Sequence, residues 1–271
     1  MAPLFSRRLV LRSLRTWLLT LITGVLAQGG ASLSPGAPSA EKPLVINPRD
    51  RAMVLRAFVP LEGRRRLHAC LVGTPAGVHF AYDFDTGMPF LVWRGAFADM
   101  SGMWIGAGLD QVARPAVPAT LLPVKPALAF LPGHLFTLPS CWPEQPEALY
   151  RSLGYELERN GQPVFLASLE ALRIRDRIAP SADGRGLDRC LVFSGRLSPW
   201  ETWLLVGEAG GIVADDEGWA AENGAWRIHW PVNAGSRPVV HTGTGNRNQQ
   251  LVLRLEAVHL AEPVCYTLHW Q

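Results

Sequence analysis

The sequence predicts an all-β protein, a large antiparallel β-sandwich of supersandwich-like type with long connections. Three observations predict it. Apolar residues fall in short runs of four to eight, several alternating with polar ones as on half-buried strands. Gly, Pro, Asn and Asp punctuate those runs at hairpin spacing. Helical signals are few, the clearest being residues 146–153 (PEALYRSL), enough for one or two turns.

The elements follow in order. Residues 53–59 (MVLRAFV), 67–72 (LHACLV), 78–83 (VHFAYD) and 89–93 (PFLVW) read as strands, separated by Glu62-Gly63, the stretch 73–77 and Asp85-Thr86-Gly87. Residues 95–139 are the least regular, dense in Gly, Pro and Ala; a connection that long is functional or a packed crossing between sheets. Strand character resumes at 154–158, 163–167, 169–178, 187–194 and 202–206, with Asn160-Gly161 and Asp183-Gly184 as hairpin dipeptides. Residues 172–178 alternate apolar and charged through Arg175, so one face is buried and one is wet. Residues 225–230, 237–241, 249–259 and 264–270 complete roughly a dozen strands, too many for a seven-stranded immunoglobulin-type sandwich. The loop from His241 to Asn246, despite two glycines, joins two strands and reads as a hairpin.

The N-terminus is a different kind of sequence. Arg7, Arg8, Arg12 and Arg15 precede an uncharged apolar run at 16–27 (TWLLTLITGVLA). At about twelve residues it suits a signal h-region and is short of the roughly twenty that span a bilayer. Small residues at Ala27, Gly29, Gly30 and Ala31 place cleavage soon after Ala27, and residues 6–11 (SRRLVL) resemble a twin-arginine signal as well as a general one. The expected organisation is a signal peptide at 1–27, a linker at 28–42 containing SLSPGAPSAEK, and a single β-sandwich domain at 43–271. The expected location is periplasmic or secreted, with membrane contact only during export.

Charge then excludes one class of partner. The chain has 26 basic and 23 acidic residues, but four of the arginines lie in the leader; without it 22 basic residues face 23 acidic ones, a net charge of −1. A phosphate-binding face needs an excess of cation, so nucleic acid is not expected. The one dense basic run, Arg64-Arg65-Arg66, reads as a solvated hairpin turn after Glu62-Gly63. The four cysteines, Cys70, Cys141, Cys190 and Cys265, allow two disulfides in three pairings, or buried free thiols in apolar strands. Their spacing fits no zinc knuckle, no Cys-x-x-Cys-His haem attachment site exists, and neither a Gly-x-Ser-x-Gly elbow nor a P-loop occurs, so no cofactor is expected.

The candidate ligand-binding residues are His79, Asp83, Asp85, Trp93, Arg94, Asp99 and Trp104. An indole face suits the C–H face of a sugar ring, and Arg94 and Asp99 would hydrogen-bond hydroxyls at its edge; the structural alternative makes Trp93 a core residue and pairs Arg94 with Asp99. Asp83 and Asp85, at i and i+2 on a strand end, share a face that a hard cation such as calcium would accept, or form an Asx turn into Thr86-Gly87. Asp215-Asp216-Glu217 reads as a solvated acidic turn. No two of the seven histidines have the i, i+4 spacing of a helix-borne metal pair.

Several of these stretches carry a resemblance. Val72-Gly73-Thr74-Pro75, the strand His79-Phe80-Ala81-Tyr82-Asp83, Trp93-Arg94-Gly95-Ala96-Phe97-Ala98-Asp99 and Met103-Trp104 recur together in it. So do Leu153-Gly154-Tyr155-Glu156-Leu157, Gly161-Gln162-Pro163-Val164-Phe165 and Gly186-Leu187-Asp188-Arg189. Over most of residues 50–200 the chain resembles an uncharacterised module of large exported bacterial proteins, found alongside c-type haem domains and sorbosone-dehydrogenase-like propellers. The resemblance implies export and a role near an electron-transfer or carbohydrate-oxidising system, and supplies no catalytic residue.

The functional expectation is a non-catalytic exported module that binds a saccharide or a protein partner through the 93–104 segment. One alternative is a carbohydrate-active enzyme of the mutarotase-like sandwich kind, with His79 and Asp83 or Glu256 as its acid and base. Another is an accessory subunit of an exported haem-dependent dehydrogenase, whose partner would be an exported redox protein.

Overall fold

The structure, a computed structural model, describes residues 43–104, 111–131, 142–231, 235–242 and 248–271, all within one unit, Lys42–Gln271. The expected signal peptide and linker, His134, Cys141 and the loop 243–247 lie outside them.

The described strands, in chain order, are β1 (Val45–Ile46), β2 (Met53–Leu61), β3 (Arg64–Gly73), β4 (Val78–Asp83), β5 (Met88–Arg94), β6 (Ala98–Asp99) and β7 (Arg114–Pro115). Then come β8 (Thr120–Leu121), β9 (Leu128–Leu131), β10 (Tyr150–Leu157), β11 (Pro163–Leu169), β12 (Leu172–Pro180), β13 (Gly186–Gly195) and β14 (Glu201–Ala209). The last are β15 (Ile212–Asp215), β16 (Gly218–Ala221), β17 (Trp226–His229), β18 (Val239–Thr242), β19 (Gln249–Arg254) and β20 (Val264–Trp270).

They form an antiparallel sandwich. One layer is an eight-stranded sheet in the order β10-β11-β12-β13-β20-β17-β16-β15. The other comprises a five-stranded sheet, β2-β3-β4-β5-β8, and a four-stranded one, β18-β19-β14-β9. Side chains from all three sheets share one core, in which Phe80 and Tyr82 face Phe165, and Leu204 and Leu253 belong with Ile228 and Trp226. A third, partial layer, the three-stranded sheet β1-β6-β7, covers the outer face of the five-stranded sheet through Trp93, Phe97 and Leu71.

Alternation explains the burial. Along β12, Leu172, Ile174 and Ile178 are buried while Arg173, Arg175 and Arg177 are exposed. The strands β4 and β5 are buried almost throughout because layers cover both faces. Glu62 and Gly63 both have positive φ, 46° and 76°, the geometry of a two-residue hairpin turn between β2 and β3.

Local differences from the sequence reading have physical causes. Arg64 to Arg66 are not a turn but the start of β3, paired with Leu61, Pro60 and Val59. Residues 146–153 do not form a helix; from Tyr150 they pair with β11, because an edge position on the large sheet outweighs a weak helix propensity. The run 169–178 is two strands, turned at Glu170 (φ 52°). Strand pairing in 249–259 stops at Arg254 and a 3-10 turn, Ala257–Leu260, follows. The β15–β16 hairpin around the acidic turn is an addition.

A buried ion pair joins the layers. Asp176 and Arg189 are both 2% exposed and lie on the inner face of the eight-stranded sheet. Arg189 Nε donates to Asp176 Oδ1 (3.0 Å) and Nη2 to Asp176 Oδ2 (2.7 Å). Nη2 also donates to the Gly87 carbonyl (3.0 Å), and Nη1 to the Tyr266 hydroxyl (3.1 Å) and to Met88 Sδ (3.2 Å). Tyr82, across the core, donates its hydroxyl to Asp176. Burial pushes the pKa of the Tyr82 and Tyr266 phenols upward, so both stay protonated, Tyr82 as a donor to Asp176 and Tyr266 as an acceptor from Arg189. On the opposite face Cys190 and Cys265, directly paired between β13 and β20, form a disulfide, and Cys70 is a buried free thiol.

Removing one member of a buried pair strands the other. Arg189→Met is expected to lower stability by about 3–5 kcal/mol in urea denaturation, and Arg189→Met with Asp176→Leu to recover a substantial part of it. Replacing both bridged cysteines with serine frees a loop of sequence separation 75. It is expected to cost about 2–4 kcal/mol by the same measurement.

Candidate functional site

The segment singled out by sequence is central to the fold. Strands β4 and β5 lie inside the five-stranded sheet, so their side chains point either into the sandwich or under the third layer. His79 and Trp93 are cross-strand partners beneath that layer, each 1% exposed. His79 Nδ1 accepts from the Thr74 N–H (3.1 Å), and Nε2 donates to the Gly95 carbonyl (2.9 Å). The ring packs against Trp93 and Phe97 at centroid distances of 5.7 and 5.1 Å. Burial lowers the His79 pKa from its ordinary value, so the ring is held neutral. The Trp93 indole N–H donates to the carbonyls of Phe97 (2.9 Å) and Ala96 (3.2 Å). Trp93 is therefore a plug under the third layer and offers no face to a sugar ring, which corrects the sugar-platform expectation.

The other candidates are equally occupied. Arg94 does not pair with Asp99. Its guanidinium lies 4.6 Å over the Trp270 ring and donates to the carbonyls of Trp270 (2.6 Å) and Arg185, clamping β5 to the eight-stranded sheet. Asp99 accepts from the Ser101 hydroxyl (2.6 Å) and N–H (2.9 Å), and those bonds lower its pKa. Asp83, 2% exposed, accepts from the Asp85 N–H (2.9 Å), an Asx turn, and from Arg66 (3.2 Å); burial nonetheless raises its pKa. Asp85 bonds His68 Nδ1 at 2.9 Å. With Asp83 bound to a guanidinium and Asp85 to an imidazole, the two carboxylates are not presented as a calcium site. Among the described residues no three His, Cys, Asp or Glu are placed to hold a metal. Trp104 ends the short helix Ser101–Trp104, and its side chain lies outside the described residues.

His79 and Asp83 are four residues apart on one strand, about 13 Å along it. Glu256 is exposed at the start of the 3-10 turn, where its N–H donates to His259 Nδ1 (2.8 Å). His79 and Asp83 are thus held by backbone groups and an ion pair, and the predicted set does not converge on one cleft.

Two other surfaces have the character of binding sites. The first is a groove of about 1100 Å³ beside the β2–β3 hairpin. It is lined by Leu61, Glu62 and Arg64 to Arg66 of the hairpin, by Phe84 to Thr86 after β4, and by Tyr150 to Ser152 of β10. The second is on the four-stranded sheet. Of the eight tryptophans with described side chains six are buried and Trp203 is half-buried, while Trp200 is 57% exposed. Its chain neighbour Glu201 pairs with Arg254 at 2.7 Å, and the Trp203 indole N–H donates to the same carboxylate at 3.3 Å. Trp203 and Arg254 are cross-strand partners. No protein-family model, curated protein or solved structure matches this chain.

Neither surface was marked by sequence reasoning. Arg64 to Arg66 stand out in the sequence, but the groove beside them also needs Tyr150, more than eighty residues away. Trp200 follows Leu197-Ser198-Pro199, a turn-like stretch that lifts it out of the alternation, and that was its available signal.

The His79 environment gives a signed pH prediction. A histidine whose folded pKa lies below the ordinary 6.5 contributes stability that is present above that value and lost as pH falls through the folded pKa. Urea midpoints are expected to drop between pH 7 and pH 5. His79→Gln is expected to cost about 1–3 kcal/mol at pH 7 and to flatten that drop, because it disturbs two buried backbone bonds and removes the titrating ring.

Proposed function

We propose that this protein is an exported, non-catalytic β-sandwich module that binds a saccharide through the Trp200 face. The observation that carries the reading is an exposed indole at Trp200, one residue before Glu201, whose carboxylate is held by the Arg254 guanidinium. An indole supplies an apolar face for the C–H side of a sugar ring, while Glu201 and Arg254 offer acceptors and donors to its hydroxyls. Trp203 and the Arg254 pair hold Glu201 in place, so the ligand meets a preformed edge. The reading keeps the expected ligand class and moves the contact from Trp93 to Trp200.

Export is supported by the Cys190–Cys265 disulfide, which suits an oxidising compartment such as a periplasm or the cell exterior. No helix among the described residues is long and apolar enough to cross a membrane.

A thermal-shift screen of residues 28–271 against mono- and oligosaccharides tests the assignment. A sugar at about a hundred times its dissociation constant is expected to stabilise the protein by about 2.7 kcal/mol. Trp200→Ala is expected to abolish that shift while leaving the unliganded melting temperature within about a degree or two, since surface substitutions cost little. A panel without any shift, or a shift that survives Trp200→Ala, overturns the reading.

A further inference from the structure

We infer that the Cys190–Cys265 disulfide is a thiol-exchange site on the wet face of the eight-stranded sheet, opened by a low-molecular-weight thiol that attacks Cys265. The inference rests on the bridge and its surroundings and is independent of the Trp200 face.

Position carries it. Side chains alternate along β13 and β20, so Arg189, Leu191, Val264 and Tyr266 are buried on the core side while Cys190 and Cys265 fall on the outer side. Both cysteines are partly exposed. Arg177 is the cross-strand partner of Cys190, and Asp188, Val192 and Thr267 share the same face two residues away along the strands. Arg177 is ion-paired with Glu158, Thr267 donates to Asp188 (2.6 Å), and Val192 is 46% exposed, so the bridge lies among solvated groups. Cys70 is the contrast: it sits in the core on β3, where burial pushes its thiol pKa up and keeps it inert.

The sheet does not depend on the bridge for its pairing. Strands β13 and β20 are in register from Gly186 opposite His269 to Leu191 opposite Val264, and Arg189 donates to the Tyr266 hydroxyl on the inner face. Exchange is an in-line displacement, so the incoming sulfur approaches from the side opposite the leaving one. Behind Cys190 that side is filled by the paired strand β12. Behind Cys265, in the order β13-β20-β17, the chain leaves β17 at Trp230 and Pro231, and there Cys265 lines a pocket of about 230 Å³ with those two residues, Val258, His259 and Glu262. A thiolate entering there bonds to Cys265 Sγ as the bridge breaks, and the bonding pair leaves on Cys190 Sγ, which takes a proton from water. A second thiol displaces Cys265 from the mixed disulfide. The chain gains two thiols, and two thiol molecules become one disulfide.

The test is reduction of the purified protein by glutathione over a range of thiol concentrations and of urea below the unfolding transition, with acid quenching, alkylation and peptide mapping. Direct attack on the folded chain gives a rate proportional to thiol concentration and flat with sub-denaturing urea, whereas attack through global opening gives a rate that climbs with urea as stability falls. The flat response is expected. Early time points should carry glutathione on Cys265 and an alkylated Cys190, and the reduced protein should keep the far-UV circular dichroism of the parent. Val258→Trp, which adds bulk to the pocket, should slow reduction several-fold in the folded protein and leave the rate in full denaturant at that of the parent. A rate that tracks global unfolding, glutathione found chiefly on Cys190, loss of the β signal on reduction, or an unslowed Val258→Trp overturns the proposal. No sugar enters this readout, so its failure leaves the Trp200 assignment standing.

Discussion

The Asp176–Arg189 pair is the constraint on which the packing of this sandwich turns. An ion pair withdrawn from water is tolerated only when its remaining hydrogen-bonding capacity is met, and here the acceptors come from both layers. Asp176 and Tyr266 belong to the eight-stranded sheet, whereas Gly87 and Met88 lie at the β4–β5 turn across the core. A one-residue slip of β12 would turn Asp176 to solvent and present Arg175 or Arg177 to the core. The pair thus fixes the register of a strand and the position of a turn in the facing sheet. Apolar packing alone specifies such details less sharply.

The aromatic segment follows from a different constraint. The central strands β4 and β5, with layers on both faces, have no wet side, so polar groups within them need internal partners. His79 answers that need for Thr74 and Gly95, and Trp93 does so for two carbonyls in the segment that closes the third layer. Residue types that suggest a binding site in an exposed strand become fixtures when the strand is central. Arg94 shows the same logic at the strand end, where its charge is spent on two carbonyls and an indole face.

Most of the strand pattern was legible in the sequence, since period-two alternation and turn residues are local signals. Strands 78–83 and 264–270 have the expected limits, and Asn160-Gly161 and Asp183-Gly184 lie at turns. What was not legible is non-local: which strands are covered twice, and which distant side chains meet. The buried pair did leave a trace. Asp176 occupies the parity of Leu172, Ile174 and Ile178, and Arg189 that of Leu187, Leu191 and Phe193, so a charge stands on the apolar side of each of two adjacent strands. Reading those breaks in alternation together would have indicated partners. The candidate site had no comparable trace at 73–104, because burial on both faces of β4 and β5 is set by the partial layer that covers them.

The core constraint also reaches the groove. Gly87 gives its carbonyl to Arg189, and a Cβ at Gly87, which has φ 68°, would stand 2.6 Å from the Tyr150 hydroxyl. The turn that precedes Gly87 contributes Asp85 and Thr86 to the groove's lining, and so does Tyr150 with its neighbour Arg151. Both therefore meet at a glycine whose position Arg189 determines. The hairpin wall is held differently, through Arg66 on Asp83 and His68 on Asp85, which tie β3 to the end of β4 and the turn that follows it. The hairpin and the Tyr150 side of the groove are thus braced against the same turn. A groove lined by long side chains has the least ordering left to do when the backbone beneath it is rigid, and here that rigidity originates in an ion pair inside the sandwich.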